Sequence, residues 1–154
     1  MEPEAPSAEE TAKWHRRFAM EMNNRAWDLA EKPVRTAEED DEMIHAAHAV
    51  ALHWSRVGTE LNRARADMLL GQAHAQAGNG KLAMHFARRS FDYISTHEPE
   101  DWEIAFAHAI LANAARAAGD ESLYTEHYAI ATRLREAIAD PEDREIFDRT
   151  YNLI

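Results

Sequence analysis

A chain of 154 residues is long enough for one domain with a real hydrophobic core. Its formal net charge of −11, from 28 acids against 17 lysines and arginines, would repel a phosphate backbone or an anionic bilayer, so neither nucleic acid nor membrane is expected as a partner. Cysteine is absent, which excludes disulfides and thiolate ligands, and only five glycines and five prolines interrupt an alanine-rich sequence that is 45% apolar, so an all-α fold is expected.

The opening residues, MEPEAPSAEE, lack the basic and apolar segments of a secretion signal. No run of about 18 apolar residues occurs. A cytoplasmic location is expected. Residues 1–7 read as a flexible tail and 8–154 as one helical domain. Ser7 and Glu10 form a capping-box pair, which starts a first helix over about 8–31 with Trp14, Phe18, Met22 and Leu29 at helical spacing. Lys32-Pro33 ends it, because proline disfavours helical backbone in the residue before it.

Thr36 and Glu39 make a second capping box, and the helix they start should stop at Gly58. The acids Glu38 to Glu42 fall in its first turns, where negative charge suits the helix dipole. Met43, Ala47, Val50, Trp54 and Val57 form its core stripe, widened by Ile44 and Ala51. Asp41, His45 and His48 lie nearly opposite, at spacings of four and three that let neighbours meet.

Two imidazoles and a carboxylate suit a divalent transition metal, with His45 and His48 as ligands and Asp41 as ligand or base. One helix supplies too few ligands, so His74 and His108 are the candidates to complete the set. The HExxH motif is absent, and an imidazole pair facing away from core residues is most often simply solvated. A metal-free acid/base role also stays open. His127, on the apolar face of its helix, should be a buried neutral histidine bonded to Tyr124, Tyr128 or a backbone carbonyl. The nine histidines together should charge between about pH 7 and 5.

Further helices are expected over about 59–77, 81–97, 99–118 and 121–139. A short seventh begins at Pro141 with Asp140 as its cap. Similar lengths and short connections imply antiparallel hairpins. An internal echo supports this: LLGQAHAQAG ends at Gly78 and ILANAARAAG ends at Gly119, a period of about 41 residues.

LLGQAHAQAGNGKLA resembles the tetratricopeptide repeat (TPR), with Leu70, Gly71, Gly78 and Ala83 on that family's spacing and His74 where tyrosine is usual. Leu111, Ala112, Gly119 and Ala131 form a weaker second copy, and the period exceeds the family's ~34 residues. The match covers roughly residues 60–139. The whole chain is similar to small bacterial TPR-like helical proteins of no assigned activity. The resemblance implies antiparallel hairpins stacked as a short right-handed array with a terminal helix. It also implies a concave groove lined by the first helix of each hairpin. Carried onto this chain, the groove presents Arg65, Met68, Gln72 and Ala75 from the third helix, and Trp102, Phe106, Asn113 and Arg116 from the fifth.

Arg65 and Arg116 are expected to face a common cavity and hold an anionic group. The alternative is that these residues pack on the first helix, with the arginines paired to acids. Three functions stand open. One is a binding module for a peptide segment or a small anionic ligand. Another is a small metal-dependent enzyme built on His45 and His48. The last is a structural homodimer joined through Leu52 and Phe91. Nothing suggests nucleophilic catalysis or a phosphate loop, since GNGK lacks both the P-loop pattern and a preceding strand.

Overall fold

The computed structural model describes residues 4–151, so the first three residues of the expected tail and the last three of the expected domain lie outside it. Seven helices and no strand occur among the described residues: α1 (Ala8–Ala30), α2 (Ala37–Val57), α3 (Glu60–Gln76), α4 (Gly80–Thr96), α5 (Asp101–Ala117), α6 (Glu121–Glu136) and α7 (Pro141–Tyr151). No helix is long and apolar enough to cross a membrane.

Local chemistry sets the boundaries. Ser7 and Thr36 each close the expected capping box, with Glu10 and Glu39, and Thr59 closes a third with Asn62. Two expected ends shift. Helix α5 begins at Asp101 rather than Pro99, because Glu98 adopts φ 48° and turns the chain first. Helix α6 stops at Glu136, where the Ala137 and Ile138 amides bond back three residues to the Leu134 and Arg135 carbonyls.

The two turns of the sequence echo have the same structure. Asn79 N–H donates to His74 O at 2.8 Å, and Asp120 N–H to Ala115 O at 2.9 Å. Gly78 (φ 77°) and Gly119 (φ 79°) sit between them in the left-handed region that an L side chain resists. The 41-residue period is therefore carried by matching helix ends.

Hairpins α1–α2, α3–α4 and α5–α6 stack closely, with α2 against α3 and α4 against α5. Alternate helices also meet, α1 with α3, α3 with α5 and α5 with α7. Helix α3 lies between two apolar clusters. Ala64, Met68 and Ala75 join one built with α4, α5, α6 and α7, while Ala66, Leu69, Leu70 and Ala73 join another built with α1 and α2. A helix buried on all sides needs apolar or small residues all round, which the alanine-rich sequences of α3 and α5 supply.

The expected stripe of α1 is only partly buried. Leu29 is in the core, but Trp14 and Phe18 stack on each other at 5.7 Å and stay substantially exposed. Trp54 is half-buried at the edge of the α1–α2 cluster. Phe91 is packed rather than left over, edge-on to His108 and His127. Leu52 is exposed.

Candidate functional site

A cavity of about 400 Å³ opens on the side where alternate helices meet. Asn23, Asn24, Trp27 and Glu31 enter from α1, Arg65 and Met68 from α3, Trp102 and Phe106 from α5, and Ile146, Arg149 and Thr150 from α7. Trp27 packs against both apolar clusters and meets Phe106 edge-on at 5.4 Å. The cavity wall combines the aromatic and aliphatic side chains of Trp27, Met68, Trp102, Phe106 and Ile146 with two guanidinium groups, one carboxylate, two asparagine amides and a hydroxyl.

The two arginines differ. Arg65 donates through Nε to Glu103 Oε2 at 2.7 Å and lies over the Trp102 ring at 5.5 Å. Glu103 is 4% exposed, so this pair sits against the protein interior. Arg149 reaches only to 3.9 Å from Glu31 Oε2, beyond hydrogen-bond length. Burial raises the Glu31 carboxyl above its ordinary range, and Arg149 opposes that shift. Beside them the Thr150 hydroxyl is buried and has no hydrogen-bond partner among the described residues.

Four of the eight groove residues expected from the sequence, Arg65, Met68, Trp102 and Phe106, line this one cavity, and Ala75 is buried in the core. Gln72 and Asn113 lie buried away from it, and Asn113 Nδ2 donates to Gln72 Oε1 at 2.9 Å. Arg116 is elsewhere, over the Tyr124 ring at 5.1 Å with its Nη1 donating to the Tyr124 hydroxyl. The expectation that Arg65 and Arg116 share a cavity is thus corrected. The 41-residue period pairs Arg65 with Phe106 and Ala75 with Arg116. The arginines are ten residues out of register, about 15 Å along a helix.

The α1 and α7 contributions escaped the sequence reading, since the repeat resemblance covers only the middle of the chain. The spacing of Asn23, Trp27 and Glu31, four apart on one face of α1, was the available signal.

The histidines are organised differently from expectation. Six of the nine form three interhelical pairs. His15 and His53 approach at 2.8 Å between α1 and α2, His48 and His74 at 3.0 Å between α2 and α3, and His108 and His127 at 2.8 Å between α5 and α6. His127 was expected to use tyrosine or a carbonyl; the partner shown is His108. Asn79 donates from Nδ2 to His74 Nδ1 at 3.3 Å, which leaves the His74 proton on Nε2, donated to His48.

His48 therefore meets His74, as the metal reading required, but Asp41 and His45 line a separate polar cleft with Asp40 and Asn79, and His108 belongs to its own pair. Among the described residues, no group of three or more His, Asp or Glu side chains is placed to hold a metal ion.

Each pair shares one proton across two facing nitrogens. Protonating both rings of a pair would put two cations in contact. Burial first and the partner imidazole second lower His53 and His74, and the same causes bring His108 down to about 4. His48 is lowered by burial and then by His45, and His127 by burial against the opposing effect of Glu126.

A larger cleft of about 680 Å³ runs along α2, α3 and α4. Its charged wall is largely self-neutralised, with Arg89 bound to Asp67 through two bonds of 2.7 and 2.6 Å. The smaller cavity has the features of a ligand site, an apolar interior with a few convergent polar groups.

No family model matches this chain. Comparisons with curated proteins and with solved structures likewise find no similar protein.

Proposed function

We propose that the chain is a binding module whose cavity between α1, α3, α5 and α7 receives a small anionic ligand or the end of a peptide segment. The observation that carries this reading is the make-up of the wall. The lining residues come from the odd-numbered helices and the C-cap of α1, and together they bring aromatic surface and a cation with no hydrogen-bonded acid among the described residues to one concavity. The resemblance to TPR arrays supports it, since that family binds on the face formed by the first helix of each hairpin. Of the three readings, the module uses the largest share of the residues singled out in the sequence.

The test uses a panel of small carboxylates and short acidic peptides, scored by the rise in melting temperature they give the protein. Ile146 lines the cavity and is exposed, so Ile146→Trp fills the mouth without disturbing the core. Ligands that stabilise the parent protein should lose their effect on this variant. Equal stabilisation of both proteins would place binding elsewhere and refute the reading.

A further inference from the structure

We infer that the occupant of this cavity is a small carboxylic acid with an apolar body, its carboxylate on Arg149 and its body against Trp27, Met68, Trp102 and Phe106. The inference rests on the binding-module reading and names the chemistry of its ligand.

The polar groups narrow the choice. Arg65 is committed: Glu103 takes its Nε at 2.7 Å, and Trp102 covers its face. Arg149 has donors to spare among the described residues, because the acid that it faces there, Glu31, stands 3.9 Å away with no hydrogen bond formed. A guanidinium with free parallel N–H groups matches the two oxygens of a planar carboxylate. The buried Thr150 hydroxyl, one residue on, supplies a further donor that has no partner among the described residues.

Leaving such a hydroxyl dry and unpaired is unfavourable, so a ligand oxygen beside it removes a defect of the empty site. The charge count sets the valence of the ligand. Arg65 is offset by Glu103 and Arg149 faces Glu31, so the charges balance with both acids ionised, and Arg149 becomes the one cation open to a ligand when Glu31 takes up a proton, the form that burial favours. A single negative charge suits it. A dianionic phosphate would meet Glu31 with too little positive charge to balance it.

Apart from the Asn23 and Asn24 amides on the α1 side, the rest of the wall is Trp27, Met68, Trp102, Phe106 and Ile146, which favours a hydrocarbon or ring over a polar chain. Glu31 competes with the incoming carboxylate for Arg149. Burial already disfavours its ionised form, so it is the acid that can yield.

Isothermal titration calorimetry with 3-phenylpropionate, 3-phenylpropionamide and propionate tests this on the full chain. The acid should bind at least ten-fold tighter than the amide, and propionate, which lacks the ring, should be weaker by a similar factor. Arg149→Gln should bring the acid and the amide to equal affinity without changing the melting temperature. Glu31→Gln should tighten the acid several-fold and leave the amide unchanged.

Acid and amide binding equally to the parent protein would overturn the carboxylate assignment while leaving the cavity reading intact. An acetylated pentapeptide ending in phenylalanine carries the same carboxylate. If it binds more tightly than the free acid, the occupant is a peptide end and the small-acid inference is wrong. No binding by any of these probes overturns the inference as well. The binding-module reading then stands or falls on the broader panel and the Ile146→Trp variant.

Discussion

Asn113 donates its side-chain amide to Gln72 Oε1 at 2.9 Å, joining two fully enclosed residues that stand 41 positions apart on α3 and α5. They occupy the same place in successive hairpins, so the repeat period is also a contact between repeats. Gln72→Leu removes the acceptor and leaves the Asn113 amide buried without its partner, at a cost of about 1–3 kcal/mol. The double variant Gln72→Leu with Asn113→Leu should recover much of that loss. Urea unfolding of the two single variants and the double variant checks this. Losses that simply add would show the pair to be uncoupled.

Much of the fold could be read from the sequence because its signals are local. The capping boxes at Ser7 and Thr36, the helix-ending glycines at 78 and 119, and Pro33 act within a few residues. The all-helical stack of hairpins follows from them. The cavity was legible by half. Arg65, Met68, Trp102 and Phe106 lie within the repeat, but the approach of α1 and α7 depends on how the array curves, which no local pattern states. The histidine pairs escaped for the same reason. His48 and His74 sit on different helices, and only their packing brings two ring nitrogens together.

Glycine at position 80 is a packing requirement of the stack. A Cβ there would lie 2.5 Å from the Ala117 carbonyl oxygen and from Ala118 Cα, both rigid backbone atoms at the end of α5. Gly80→Ala should cost about 1–3 kcal/mol or more by forcing α4 and α5 apart. At Gly78 an added Cβ meets nothing within 4 Å, and only the positive φ opposes it. Gly78→Ala should cost about 1 kcal/mol. Chemical denaturation ranks the two, and a larger loss at Gly78 would contradict the close approach of α4 and α5.

Arg65 and Arg149 border one cavity but should affect stability unequally. Arg65→Met leaves the Glu103 carboxylate buried and unpaired. Because Arg65 itself is 42% exposed, solvent screens the pair, and a loss of about 1–3 kcal/mol is expected rather than the larger value of a fully buried one. Arg149→Met, which breaks no hydrogen bond, should change stability by about 0.5 kcal/mol or less. Equal effects in urea unfolding would remove the distinction between a structural and a free arginine.

Acid should loosen the array. Histidines whose folded values lie below their ordinary range bind fewer protons folded than unfolded. Their contribution to stability is therefore complete above about pH 6.5 and declines as pH falls toward the folded value, about 4 for His108. Glu31, raised in the folded state, works weakly in the opposite sense. Allowing for partial exposure, His108 alone accounts for about 2–3 kcal/mol across that window. Urea midpoints from pH 7.5 to 4.5 should fall steadily. The variant His108→Leu with His127→Leu should show a flatter profile, and an unchanged slope would mean that this pair does not set the acid response.

The proposed ligand site lies between α1, α3, α5 and α7. The chain carries its own reporters, because two of its four tryptophans, Trp27 and Trp102, line that cavity, while Trp14 and Trp54 do not. Indole N–H signals in a nitrogen-15 correlation spectrum, followed during titration with 3-phenylpropionate, test the claim most directly. The Trp27 and Trp102 signals should move and saturate together while those of Trp14 and Trp54 stay in place. Movement of Trp14 or Trp54, with Trp27 and Trp102 unchanged, would contradict that placement.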